Sequence, residues 1–138
     1  AMRKCPSLTI IPSHHGMYKE FSKKFMDILR EYTPEVEKYS IDEAFMNMTG
    51  MERLLGEPVA FAHKLKDRIR TELGFTVNVG ISTNKLLAKM ASDFQKPDRV
   101  HTLFPDEIQE KMWPLPIRNL LFLGKASEQK LLNQVIEK

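Results

Sequence analysis

Apolar residues along this chain fall into short runs whose spacing changes from segment to segment. Leu8-Thr9-Ile10-Ile11 is a continuous apolar run stopped by Pro12, and it predicts a short strand. Tyr18, Phe21, Phe25, Ile28, Leu29 and Tyr32 then recur at three- and four-residue spacings. That period predicts an amphipathic helix over residues 18–32, closed by Thr33-Pro34. Val36 to Ile41 and Ala44 to Thr49 read as two strands of a hairpin ending at Gly50. Pro58 suits the first turn of a second helix, whose stripe is Phe61, Leu65, Ile69 and Leu73 and whose stop is Gly74. Phe75 to Ser82 alternates and predicts a strand; Asn84 to Phe94 predicts a helix with Leu86, Leu87, Met90 and Phe94 inward. Val100 to Phe104 is the next strand, and Pro105-Asp106-Glu107 opens a further short helix with acids at its positive end.

The order strand, helix, hairpin, helix, strand, helix, strand, helix predicts an α+β fold. Its helices cover one face of a mainly antiparallel sheet, as in ferredoxin-like palm architectures. Such a sheet carries its chemistry on the bare face or at strand ends. After Met112 the texture changes: Trp113-Pro114-Leu115-Pro116 breaks regular structure and reads as a boundary. Leu120-Leu121-Phe122-Leu123-Gly124 is followed by Ser127 as an N-cap and by the stripe Leu131, Leu132, Val135 and Ile136. An apolar turn and a capped helix make half of a helix-hairpin-helix, a device that holds DNA phosphates with backbone N–H groups.

The chemistry concentrates in Ser40-Ile41-Asp42-Glu43-Ala44, where two adjacent carboxylates interrupt the apolar segment Tyr39 to Met48. Carboxylates in an apolar hairpin cost desolvation energy unless a cation or solvent compensates them. A hard divalent cation such as Mg2+ prefers carboxylate oxygens and bridges to substrate phosphates. The competing reading is a solvated β-turn, since Asp favours turns on its own account.

Composition narrows the class. The 138 residues are 42% hydrophobic and 28% charged, as in an ordinary folded domain. No apolar run is long enough to span a membrane, and no signal-peptide pattern opens the chain. A single cysteine, Cys5, excludes an internal disulfide and argues against a zinc site; it suits a reducing cytoplasm. The net charge of +3 is compatible with weak contact to a polyanion. The basic residues are spread: Lys23, Lys24 and Arg30 on the first helix; Lys64, Lys66, Arg68 and Arg70 on the second; Lys85, Lys89 and Lys96 in or after the third. Each reads as part of a solvated helix face.

Longer motifs carry a resemblance. Tyr39-Ser40-Ile41-Asp42-Glu43-Ala44-Phe45 resembles the signature hairpin of Y-family (translesion) DNA polymerases of the DNA polymerase IV group. The run Val79 to Ser92 resembles that family's strand-to-helix motif in the palm, and Gln95-Lys96-Pro97-Asp98 its Lys-Pro motif just after. Lys4-Cys5-Pro6-Ser7-Leu8 is similar to the family's exit from the fingers. The resemblance covers nearly the whole chain. It implies residues 1–16 as the end of the fingers, 17–113 as the palm and 114–138 as the start of a helical thumb.

The resemblance implies a bacterial, cytoplasmic enzyme of translesion synthesis and DNA repair. It would transfer nucleotides from a dNTP to a primer 3′-OH with two Mg2+ ions. Asp42 resembles the second metal-binding aspartate, Glu43 the adjacent catalytic glutamate, and Lys96 the lysine that meets the triphosphate. Primer–template DNA and dNTP are the implied partners, with a sliding clamp as a candidate partner of the full-length protein and no membrane. The family's first metal-binding aspartate, its fingers Tyr and Arg and its little finger have no counterpart in this chain. The chain is therefore read as a palm-centred fragment, inactive alone. Arg99 stands where the family has a glycine after Lys-Pro-x, and Phe122-Leu123-Gly124 keeps one glycine of a usual Gly-x-Gly turn. Two other classes stand beside this one: a non-catalytic DNA-binding or interaction module, and another palm-fold phosphotransferase such as a nucleotide cyclase.

Overall fold

The computed structural model describes residues 4–134, and the chain divides after Met46 into two units. The first unit is built on helix α1, His15–Arg30. Its buried residues Ser22, Phe25, Met26, Ile28 and Leu29 recur at three- and four-residue spacings along one face. Lys23–Asp27 and Lys24–Glu20 pair at 2.6 and 2.8 Å along the wet side. The helix starts three residues before the predicted Tyr18, which is itself exposed. It ends where the Glu31 and Tyr32 amides fall back on the Ile28 and Leu29 carbonyls, just ahead of buried Thr33 and exposed Pro34. Strands β1, Val36–Lys38, and β2, Ala44–Met46, follow as an antiparallel hairpin with Lys38 opposite Ala44 and Val36 opposite Met46.

Two expectations fail in this unit. Leu8 to Ile11 forms no strand: Leu8 turns back on the Cys5 carbonyl, and Ile10 and Ile11 are 70% and 77% exposed. An apolar run becomes a strand only when a neighbour takes up its backbone groups. The hairpin strands are also shorter than predicted. The Asn47 side chain accepts the Thr49 amide at 3.1 Å, a local turn that competes with the ladder and ends β2.

The second unit, from Asn47 on, opens with the short helix α2, Glu52–Leu55, and the long helix α3, Pro58–Leu73. Pro58 occupies the first turn and Gly74 the C-cap, as predicted. The Glu57 carboxylate caps the start, accepting the Val59 and Ala60 amides at 3.0 and 2.9 Å. Phe61, Ala62, Leu65 and Ile69 are buried, and α3 packs on strands β3, Val79–Ile81, and β4, Val100–Thr102. These strands pair in parallel, Val79 beside Val100 and Ile81 beside Thr102. The sheet predicted as mainly antiparallel is thus one antiparallel and one parallel pair among the described residues. The parallel pair follows from its connection, helix α4, Lys85–Ser92, which returns the chain in the same direction.

Leu87, Met90 and Ala91 of α4 form a core cluster with fully buried Leu103, while Leu86, predicted inward, is 40% exposed. Beyond β4 come a 3₁₀ turn at Pro105–Glu107, helix α5 at Ile108–Lys111, a second 3₁₀ turn at Ile117–Asn119 and helix α6 at Lys125–Leu132. Regular structure does break at 113–116, yet Leu115, Leu120 and Leu121 pack back on the Leu87 cluster. Gly124 is the N-cap of helix α6 and its carbonyl accepts the Ser127 and Glu128 amides, so Ser127 lies inside the helix and is not its cap. Val135 and Ile136 of the predicted stripe lie outside the described residues.

One contact sets the spacing of α4 on β3. A Cβ placed on Gly80 would collide with the Ala88 carbonyl oxygen and the Ser92 amide nitrogen, both backbone atoms that cannot swing aside. Gly80→Ala is therefore expected to lift α4 off the strand and to destabilise the protein by about 1–3 kcal/mol, read from the urea midpoint. An unchanged midpoint would show that the helix does not sit this close.

Candidate functional site

The acidic pair sits at the tip of the β1–β2 hairpin. Below it, the Tyr39 and Ser40 amides both donate to the Glu43 carbonyl, at 3.0 and 3.1 Å. This leaves Ser40, Ile41 and Asp42 to cross between the strands. The Tyr39 and Phe45 rings meet edge to face at 5.6 Å and brace the base of the turn. The Ser40 hydroxyl lies 2.8 Å from Asp42 Oδ1 and 3.3 Å from Glu43 Oε2, and the Asp42 amide points back at Ser40 Oγ at 3.4 Å. Ile41 and Asp42 are exposed and Glu43 is half-buried.

Asp42 and Glu43 are thus brought together around one hydroxyl on an accessible tip. Ser40 had no place in the sequence reading as a holder of the pair. Its signal was a Ser two residues ahead of an Asp, the pattern of a side chain that closes its own turn. The tip offers hard, anionic oxygens held close together, the donor chemistry that suits Mg2+. No group of three His, Cys, Asp or Glu side chains converges anywhere among the described residues. The pair therefore fits Mg2+ as a partial ligand set, of the kind completed by substrate phosphates and water.

Lys96 belongs to the second unit, in the loop between α4 and β4. Its side chain is 59% exposed, and its ammonium lies 2.8 Å from Asp93 Oδ1, while Lys89 reaches the other Asp93 oxygen at 3.1 Å. Burial pushes the Asp93 carboxyl up, but the bonds from Lys96 and Lys89 outweigh it and hold the group below its ordinary value. The Lys96–Pro97 bond is cis and Asp98 adopts φ +59°. Beyond it, the Arg99 amide donates to Asn78 Oδ1 at 3.1 Å, and its carbonyl accepts from Val79 at 2.8 Å. Positive φ falls on Asp98 and not on Arg99, so the backbone accepts Arg at that position without strain.

The residue that ties this loop down went unread in the sequence. Lys66 is not part of a solvated face: its side chain is only 8% exposed, with Nζ 3.0 Å from Asp98 Oδ1 and 3.1 Å from Asp67. Arg70, one turn along α3, reaches Asp98 Oδ2 at 2.5 Å. A signal was available. Lys66 lies four residues after buried Ala62 and three before buried Ile69, on the apolar stripe itself. The hydrogen bond to Asp98 and those to Asp67 raise the Lys66 pKa against the opposing effect of burial. The Lys66 bond, with Arg70 beside it, holds the Asp98 carboxyl below its usual range.

The third candidate element is the turn ahead of α6. Phe122 takes φ +68° and is 79% exposed, and Arg118 pairs with Glu128 at 3.3 Å across the turn.

The chain as a whole is similar to known proteins. A profile described as the impB/mucB/samB family covers residues 1–93. The chain is 51% identical over 131 residues to a DNA polymerase IV of Clostridium acetobutylicum, covering 95% of this chain and 33% of that protein. It is 46% identical over 127 residues to a DNA polymerase IV of Moorella thermoacetica, covering 92% of this chain and 32% of that one. Among solved structures, DinB from Sulfolobus solfataricus superimposes with a TM-score of 0.87 at 30% identity, over 99% of this chain and 40% of that one. An insertion ternary complex of Dbh DNA polymerase does so with 0.86 at 29%, over 99% and 40%. The chain spans about a third of the length of the curated relatives it matches.

The Asp98 ion pairs have a pH signature. A carboxyl with a lowered pKa stabilises the fold above its ordinary value, near pH ~4, and that stability is lost as pH falls through the lowered value. A lysine with a raised pKa stabilises below about pH 10.4 and loses that contribution as pH climbs through the raised value. Asp98→Asn is expected to lower the Tm by a few degrees at pH ~7, with the gap to wild type closing as the pH falls below about 4. The other carboxylates with lowered values, such as Glu57 and Glu107, cancel in this difference. A gap that stays constant down to pH ~3 would mean that Asp98 is not engaged as an ion.

Proposed function

The chain belongs to the impB/mucB/samB family, the Y-family polymerases of the DNA polymerase IV type, and on that premise we propose that it carries part of the nucleotidyl-transfer apparatus of a translesion DNA polymerase. The observation that supports this most directly is the exposed hairpin tip that sets Asp42 and Glu43 side by side on the Ser40 hydroxyl. In this reading the parent enzyme joins a dNTP to a primer 3′-OH on a DNA template during damage repair in a bacterial cytoplasm. Among the described residues no helix is long and apolar enough to cross a membrane. The cyclase alternative drops away with the family assignment. The division into fingers end at 1–16, palm at 17–113 and thumb from 114 is part of the proposal. A sliding clamp as partner of the full-length protein is a further part of it.

The roles follow from the side chains. Asp42 and Glu43 present carboxylate oxygens suited to divalent cations. The pair would hold part of the ligand set of two ions of the Mg2+ kind, which would supply charge stabilisation to the reacting oxygens. Ser40 keeps the two carboxylates turned to the same place. Lys96 offers a compact, well-hydrated ammonium to the polyphosphate, for which it would leave Asp93.

Asp42→Ala or Glu43→Ala in the full-length protein is expected to abolish primer extension and leave the fold intact, because each group is accessible and removing one relieves carboxylate repulsion. Extension within a few-fold of wild type in either variant would refute the assignment. In the same assay the 138-residue chain alone is expected to give no incorporation, since the described residues bring no third ligand to the pair.

Lys96→Ala is expected to lower kcat/KM for the incoming nucleotide by about 5- to 150-fold, the worth of a charge-assisted phosphate contact of about 1–3 kcal/mol, with primer–template affinity little changed. If DNA binding fell and nucleotide kinetics did not, Lys96 would be a contact to the DNA backbone instead.

A further inference from the structure

Lys96 lies two residues ahead of Asp98, both of whose carboxylate oxygens are taken by cations of α3. Asp98 is 22% exposed and holds the αL backbone at φ +59°, a conformation Asp tolerates better than most residues. One residue on, the Arg99 amide and carbonyl are fixed to Asn78 and Val79. The far end of the Lys96 loop is thereby fastened both to α3 and to the start of β3. Burying Lys66 for this purpose is poor value as a source of stability, because an apolar residue of similar volume on that stripe would serve the core as well or better. What the buried ammonium does supply is a fixed point for a specific carboxylate in the neighbouring loop.

We propose that Asp98, clamped by Lys66 and Arg70, is a positioning residue that sets where Lys96 presents its ammonium to the nucleotide polyphosphate. The proposal rests on the reading of Lys96 given above. Asp93 completes the arrangement on the other side by holding the Lys96 ammonium from the end of α4. The loop is thus pre-set, and its lysine exchanges one anionic partner for another.

The test uses the full-length polymerase with primer–template DNA, dNTP and Mg2+. Asp98→Ala is expected to raise the nucleotide KM about tenfold, the scale of a misplaced contact, with kcat and primer–template affinity moving less than about twofold. Amide hydrogen exchange at Arg99 is expected to speed up in the same variant. In a Lys96→Ala background Asp98→Ala is expected to add less than about twofold, because the two act as one unit. Lys66→Met removes the buried arm of the clamp and leaves Asp98 paired with Arg70, so no buried charge is left unpaired; it serves if Asp98→Ala does not fold, and it is expected to move KM in the same direction by a smaller factor.

Three results overturn the proposal. In the first, Asp98→Ala and Lys66→Met both leave KM within about twofold. In the second, Asp98→Ala has its full effect when Lys96 is already alanine, which would place its action elsewhere. In the third, Lys96→Ala itself leaves KM unmoved while Asp98→Ala still loosens the Arg99 amide. There the reading of Lys96 has failed, and the positioning role falls with it. A failure of the clamp alone shows differently: Lys96→Ala acts on KM, but Asp98→Ala moves neither KM nor the Arg99 amide.

Discussion

The close seating of α4 on β3 at Gly80 governs the second unit. With no Cβ at that position, the Ala88 carbonyl and the Ser92 amide come down onto the strand backbone. This fixes the height of α4, and so determines that Leu87, Met90 and Ala91 reach Leu103 and close a core. It also sets where α4 ends. From that end the chain has only the loop of residues 93–99 in which to return to β4 and pair in parallel with β3. Asp93 and Lys96 sit in that short return. Their placement is a consequence of helix–strand packing, and a looser packing would move them both.

A second constraint acts on the same loop from α3, and it is electrostatic. A lysine on an apolar stripe must find its counter-charge or stay out of the core. Lys66 finds Asp98 and Asp67, with Arg70 sharing Asp98. Packing through Gly80 and pairing through Asp98 thus hold opposite ends of the loop by different means. The first is indifferent to pH; the second depends on two ionised groups whose pKa values move apart. The acidic turn of the first unit uses neither device. It is held by its own backbone, with Tyr39 and Ser40 on the Glu43 carbonyl, and by one hydroxyl. The contacts that shape it are therefore local ones, made within residues 39–43.

That difference also explains what could be read from the residues alone. Helix α3 was legible because its stripe, Pro58 and Gly74 are all local signals, and the hairpin tip was legible because turn chemistry is local too. Leu8 to Ile11 was misread because strand identity depends on a partner that no local pattern names. The ends of β2 were misplaced because the Asn47 side chain competes with the ladder. Local pattern places Lys66 on a solvated face because the carboxylate that makes its burial tolerable lies 32 residues away, across a strand and a helix. The carboxylate pair stands out as two adjacent acids in an apolar segment, and Lys96 through motif likeness; the partners they meet, Ser40 and Asp93, are set by the folded turn and loop.

The two positions where the family resemblance leads one to expect a glycine, Arg99 and Phe122, behave in opposite ways, and backbone angles explain both. At Arg99 the positive φ falls one residue earlier, on Asp98, whose carboxylate is occupied by α3 and whose side chain suits αL. A large residue at 99 therefore costs the backbone nothing. In the turn before α6 the surviving glycine, Gly124, has φ −79° and nothing within 4 Å of a would-be Cβ, so most residues would fit there. The strained position is Phe122, at φ +68° with its ring in solvent, where a non-glycine residue costs roughly 1–2 kcal/mol. The turn keeps its shape without the residue type that would make that shape cheap. Its closure rests instead on the Leu123 amide bonding the Leu120 carbonyl, on Leu120 and Leu121 packing against the Leu87 cluster, and on the Gly124 carbonyl starting α6. The backbone N–H groups at the start of that helix are thus presented by a turn that tertiary packing, and not glycine, holds in place.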